Sequence, residues 1–248
     1  MKILSVGLHA NDCEYGMGGT AALLAARGHE VLFVNLKLPD FDGISKEQSL
    51  LAASLLSVQK RFLDCTNGSV YENNEKSVRA LEALLVDFRP DIVFLPDPQD
   101  DDGERIACAY TVHEALFAAA VDGIAPNEVY TYERTQSQSL PHFIPDFLIH
   151  VKSVEACIEQ SLLAASRSEK EGEALLKEKK VCARFRDHIR SYPSTDGLSD
   201  GFRILKYPEK GCTFLLSEAL NDLFSFNGTK MYYPRFTEIF KTCTPKKQ

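Results

Sequence analysis

His9, Asn11, Asp12 and Glu14 sit between a short apolar run and three glycines, Gly16, Gly18 and Gly19. An imidazole and a carboxylate three positions apart, on a loop leaving a parallel strand, can both reach one metal ion. The carboxyl ends of parallel strands are also where open α/β sheets put their sites. A second group of acids, Asp97, Asp100, Asp101, Asp102 and Glu104, follows another apolar run. Two acidic loops at strand ends repel each other unless positive charge lies between them, and a divalent cation is the economical source of that charge. The glycines also satisfy a dinucleotide fingerprint as Gly16-x-Gly18-x-x-Ala21. That reading is the weaker one, because residues 9–15 separate the glycines from the strand and the second strand ends near Asn35 with no carboxylate to hold a ribose. The glycines are better read as letting the loop backbone turn tightly into the helix.

The elements that must position these residues follow from periodicity and punctuation. Residues 2–8 read as a strand, 18–27 as a helix closed by Gly28 in a left-handed cap, and 30–36 as a second strand, together a right-handed parallel βαβ unit. A long helix is expected over 45–62, with Ser45 as its N-cap, and a short strand and turn around 62–71. A helix over 74–88 is broken at Arg89-Pro90 before the strand 91–95, whose apolar residues on both faces mark it as buried. The acidic loop 96–104 leads into a helix reaching Ala120. Strands are expected at 128–132 and 147–151, a charged helical pattern from 154 to about 190 with a place for a break near 166–168, a loop over 192–201, a strand over 202–207 and a last helix over 213–224. The alternation predicts an α/β fold, a Rossmann-like mostly parallel sheet with helices on both faces, in a single domain over 1–248. A core over 1–170 would carry the chemistry and 171–248 would add helices and loops.

The bulk numbers remove several classes of function. The chain has 248 residues and a formal net charge of -7, so a nonspecific nucleic-acid binder is not expected. No apolar run is long enough for a membrane span, and the first apolar run fits a strand better than a signal peptide. Seven scattered cysteines without a C-x-x-C pair argue for a reducing compartment, and the expected location is cytoplasmic. His113 falls nine residues beyond Glu104 on one helix, on its opposite face, and is not a ligand candidate.

The stretch HANDCEYGMGGT resembles the loop of the LmbE-like or PIG-L de-N-acetylase family, whose pattern is A-H-P-D-D-E-x-x-G-x-G-G. RPDIVFLPDPQDDDGERIA is similar to the family's R-P-D-V-V-F, D-P-N-D and H-P-D-H-R-A segments, and the likeness runs over roughly the first 170 residues. The resemblance implies a hydrolase that removes an acetyl group from N-acetylglucosamine units on lipids, thiols or small sugars. Its cofactor would be one zinc ion held by two histidines and an aspartate, and its partner a small N-acyl sugar substrate; homo-oligomer formation stays open. His9 and Asp12 fall on metal positions, and Asn11 on the aspartate that serves as base. With Arg105 anchoring the alignment, Glu104 falls on the second metal histidine, Asp101 on the histidine that assists the intermediate, and Ser166 on the histidine of H-x-S-Q.

These departures have chemical consequences. Asn11 cannot accept a proton near neutral pH, and losing a general base costs roughly a hundred to ten-thousand fold in rate. His9, Asp12 and Glu104 remain a three-ligand set with a fourth place open. Two carboxylates, however, cancel the ion's double charge, weaken its acidification of water, and shift preference from zinc toward manganese or magnesium. Asp101 is expected as the substitute base, because carboxylates crowded together rise in pKa. Lys46, lying where the family carries an arginine after the second strand, is expected to reach a substrate hydroxyl or phosphate. The loop 192–202, rich in Gly, Ser and Asp, is expected to close over the pocket. The favoured reading is an N-acyl hydrolase with an altered site; the alternative is a relative that kept the fold and pocket as a sugar-binding protein.

Overall fold

β1 (Lys2–Gly7) and β2 (Glu30–Asn35) are buried at all but their first residue, and β4 (Ile92–Pro96) throughout. Such strands can only lie inside a sheet covered on both faces. The computed structural model describes residues 1–65, 74–134, 143–190, 198–208, 214–220 and 223–226. With β3 (Gln59–Phe62), β5 (Glu128–Tyr132), β6 (Phe147–His150), β7 (Ser199–Lys206) and β8 (Phe224–Phe226), they form one sheet in the order β3-β2-β1-β4-β5-β7-β6-β8. The pairs from β3 through β5 are parallel, and those joining β7 to β5, β7 to β6 and β8 to β6 are antiparallel.

Successive side chains of the central strands enter different cores, as the strand period of two requires. Ile3, Phe33, Ile92 and Phe94 pack with α1 (Asp12–Ala26), α2 (Lys46–Leu55), α5 (Glu155–Ala164) and α6 (Glu169–Arg190). Leu4, Leu32, Val34, Val93 and Leu95 pack with α3 (Asn74–Phe88) and α4 (Gly103–Val121) on the other face. The architecture is therefore the α/β sheet with helices on both faces that the periodicity predicts.

Four local expectations are corrected. α1 starts at Asp12 rather than at Gly18, with non-helical backbone at Met17. The glycines therefore lie inside the helix and serve close packing instead of a loop: a Cβ on Gly16 would come within 2.2 Å of the Tyr132 ring, and one on Gly19 within 2.5 Å of Val151. The helix expected over 45–62 ends at Leu55, although its capping box at Ser45 and Gln48 is as expected. Ser57 turns the chain through a positive φ of 60° and residues 59–62 pair with β2, because a free sheet edge outweighs local helical preference. Ser199–Gly201, expected as loop, begin β7, and the last helix contracts to α7 (Leu215–Ala219). Most of the strand and turn expected around 62–71, and the part of the closing loop over 192–197, lie outside the described residues. Among the described residues no helix is long and apolar enough to cross a membrane.

Candidate metal centre

The carboxyl ends of β1, β2, β4 and β5 converge on one edge of the sheet. The β1–β2 ladder continues past β2, with Leu36 N–H bonded to Gly7 O at 3.0 Å and Lys37 N–H to Leu8 O at 3.3 Å. At the other side Asp97 N–H donates to Tyr132 O at 3.1 Å, which ties the acidic loop to the end of β5. His9 after β1, Lys37 after β2, the acids after β4 and Arg134 after β5 are thereby brought to one place.

His9, Asp102 and Glu104 each offer one ligand atom, and these atoms lie within 4.8 Å of one another. His9 Nδ1 lies 2.7 Å from Asp42 Oδ1, and its Nε2 lies 3.6 Å from Asp102 Oδ2. A carboxylate on Nδ1 fixes the tautomer and leaves the Nε2 lone pair for a ligand, the usual support of a metal-binding histidine. Burial works against a charged ring at His9, but the Asp42 bond and the charges of Asp12 and Asp42 raise its pKa above the ordinary value. Asp102 caps α4, its Oδ1 accepting from Glu104 N–H at 2.9 Å. One imidazole nitrogen and two partly exposed carboxylates suit a divalent ion of the zinc, manganese or magnesium kind.

Asp12 stands outside this trio, with a different set of partners. Its Oδ2 accepts from Leu8 N–H at 3.0 Å and His9 N–H at 2.9 Å, and its Oδ1 accepts from Arg105 Nε at 3.1 Å. Arg134 Nε lies 3.6 Å from the same oxygen. Burial by itself would raise this carboxyl, yet the Arg105 guanidinium, with His9 and Arg134, holds it down at about 2. Arg105 also reaches Asp100 and Asp102, both at 3.5 Å, and Lys37 Nζ lies 2.6 Å from Glu104 Oε2. The repulsion between acidic loops is thus met by side chains of this chain, a source of charge that spacing alone does not reveal.

The remaining expected residues separate by depth. Asp101 is exposed at the loop tip, while the Asp100 side chain turns inward toward Arg105. Burial, together with Asp101, pushes the Asp100 carboxyl up to about 6 against the pull of Asp102 N–H and Arg105. Asn11 gives the backbone cap of α1 but no side-chain cap bond, and its amide donates to Ala165 O at 3.4 Å. Lys46 is exposed at the first position of α2. Ser166 donates to Leu162 O at 2.6 Å, so its hydroxyl finishes α5. Glu14, two residues from Asp12, is fully buried against Lys60 at 2.5 Å. Asp42 and Lys37 are site residues that the sequence does not single out, and Asp102 is named there only as one acid of the loop and not as a ligand. Only Asp102 carries a signal, as the acid immediately before a helix, the usual N-cap place.

Residues 4–122 match the family model described as PIG-L, GlcNAc-PI de-N-acetylase. This stretch is a PIG-L domain. It holds β1 through α4, and so every residue of the trio. Solved structures share the fold over a longer span. The conserved protein TT1542 from Thermus thermophilus is 19% identical with a TM-score of 0.66, over 81% of this chain and 93% of that one. GalB, the 4-carboxy-2-hydroxymuconate hydratase from Pseudomonas putida, is 17% identical with a TM-score of 0.68, over 86% and 99%. The N,N'-diacetylchitobiose deacetylase from Pyrococcus horikoshii is 20% identical with a TM-score of 0.59, over 82% and 83%. At these identities the likeness carries the fold alone.

Proposed function

We propose that this protein is a metal-dependent amide hydrolase that removes the acyl group from an N-acetylated amino sugar or a related small glycoside. The observation that carries the reading is the His9, Asp102 and Glu104 trio at the strand ends of a PIG-L domain. The deacetylase among the solved structures of the same fold supports the substrate class. His9 through Nε2, Asp102 and Glu104 would hold the ion, with Asp42 orienting the imidazole. An ion of this kind supplies polarisation of a carbonyl oxygen and acidification of water. Zinc agrees with the family, and two carboxylate oxygens beside one nitrogen also admit manganese or magnesium.

This chain's own residues then divide the work. Asp12 locks the backbone of Leu8 and His9, and so sets the direction of the imidazole, rather than serving as an outer ligand. Proton transfer falls to the acidic loop, since Asn11 has no basic oxygen. Asp101, the base expected from sequence, is exposed at the tip, and Asp100 is the inward carboxylate beside Arg105. Lys46 is a contact for the outer part of a substrate, from the start of α2.

A second reading has its own support. Arg105 on Asp12 and Lys37 on Glu104 already neutralise two acids, which suits a relative that binds a sugar without cleaving it. The two separate cleanly by acetate release from N-acetylglucosamine derivatives, with zinc or manganese supplied. Metal-stimulated release supports the hydrolase. Saturable binding of intact sugar with no release under any metal would overturn it in favour of the binding protein.

A further inference from the structure

The trio carries a charge problem on which its cationic neighbours bear: Arg105 Nη1 lies 3.5 Å from Asp102 Oδ2 but is shared with Asp12 and Asp100, whereas Lys37 sits closer, against Glu104. His9 with its Nδ1 bonded to Asp42 is a neutral nitrogen donor, whereas Asp102 and Glu104 bring two negative charges, enough to cancel a divalent ion completely. An ion cancelled in this way has little charge left with which to polarise a substrate or acidify water. Lys37 bears on this balance. Its ammonium lies 2.6 Å from Glu104 Oε2, and its side chain is only 7% exposed, against 30% for Glu104. The Lys37 position is fixed by the backbone, since its own N–H extends the β1–β2 ladder to Leu8 O.

We propose that Lys37 is the internal counter-charge of the ion site: by pairing with one oxygen of Glu104 it makes that ligand electrically neutral, restores a net positive charge to the bound ion, and orients the free oxygen toward His9. This rests on the reading of His9, Asp102 and Glu104 as the ion's ligands. Lys37 is a positioning residue, acting through Glu104. Its arrangement has a cost, because an ammonium beside a donor oxygen repels the cation that the donor is there to bind. The site trades affinity for residual charge.

The trade makes a counter-intuitive prediction. In full-length protein stripped with a chelator, titrated with zinc or manganese and followed calorimetrically, Lys37→Met should bind the ion at least about tenfold more tightly than wild type, since a charge within a few ångströms of a cation is removed. Lys37→Arg, which keeps the charge, should stay near wild type. In a Glu104→Gln background the gain from Lys37→Met should shrink severalfold, because the lysine acts through that carboxylate. Thermal melts of each apo variant identify any that fails to fold. If wild type binds and Lys37→Met binds equally or more weakly, the counter-charge idea falls and the ion site stands. If wild type fails to bind while Lys37→Met binds, the counter-charge idea stands and the resident ion of the proposed function falls. If neither binds, both fall.

Discussion

Asp12 and Glu104 both carry a carboxylate in the first turn of a helix that follows a parallel strand, and both face a cation of this chain, yet they live in different physical worlds. Asp12 is wholly buried, accepts two backbone N–H groups and an arginine, and is held ionised well into acid. Two residues on, Glu14 is equally buried against Lys60. Glu104, with Asp102 and His9, sits at the rim with a third or less of each side chain open. A buried, fully partnered carboxylate is committed to the fold, since stripping its partners leaves a charge in low dielectric. A rim carboxylate with one ammonium partner retains an oxygen for a ligand. Acidity near a strand end does not by itself mean ligand; depth and partner count decide.

The largest effect is expected at the buried carboxylate. Asp12→Ala should destabilise the protein by about 3–5 kcal/mol, because it leaves Arg105 buried and underpaired, and denaturant unfolding reads this directly. An Asp12→Ala protein with unchanged stability and abolished metal binding would return Asp12 to the ligand set and erase the distinction. At the rim the pattern should invert: His9→Ala should lose roughly a hundredfold or more in metal affinity, as expected for a lost ligand among three, while its unfolding midpoint moves little. A His9→Ala protein that bound metal as wild type does would remove the trio.

Acid sharpens the same contrast. The Asp12 carboxyl is held at about 2, below its ordinary 3.8, so its stabilisation is complete above that ordinary value and is lost as pH falls through the folded one. The stability gap between wild type and Asp12→Asn should therefore narrow by about 2 kcal/mol between pH 6 and pH 2. A gap independent of pH would mean that the carboxylate is not the group Arg105 stabilises. The smallest effect concerns the support of the rim: Asp42→Asn keeps an oxygen for His9 Nδ1 but no charge, and should weaken metal binding by roughly tenfold, the lower end for lost carboxylate support of a ligating histidine. An unchanged affinity would show that the Asp42 bond only anchors the loop.

Much of the first half was legible in advance. Strand 91–95 is apolar on both faces, as a covered sheet requires, and the βαβ order followed from the short apolar runs 2–8 and 30–36 on either side of a helix closed by Gly28. His9 could be singled out because it follows a strand, and Glu104 because the resemblance, anchored at Arg105, places it on a metal position. The helix end at Leu55 was not legible, since the leucines of α2 favour continuation and only the free edge of β2 ends it. The glycines of α1 were visible but misassigned, because Tyr132 and Val151, the side chains that demand them, lie more than a hundred residues away.

By itself the sequence determined the central parallel strands, the loops that end them, and an acidic, histidine-containing edge, because these depend on local periodicity and on residues adjacent in the chain. Only the tertiary structure decided which acids are spent and which are available. Arg105 reaches Asp12 across 93 positions, and Lys37 reaches Glu104 across 67. A carboxylate's role follows from its depth and its counter-charge, and both are set by packing between segments that the order of residues leaves far apart.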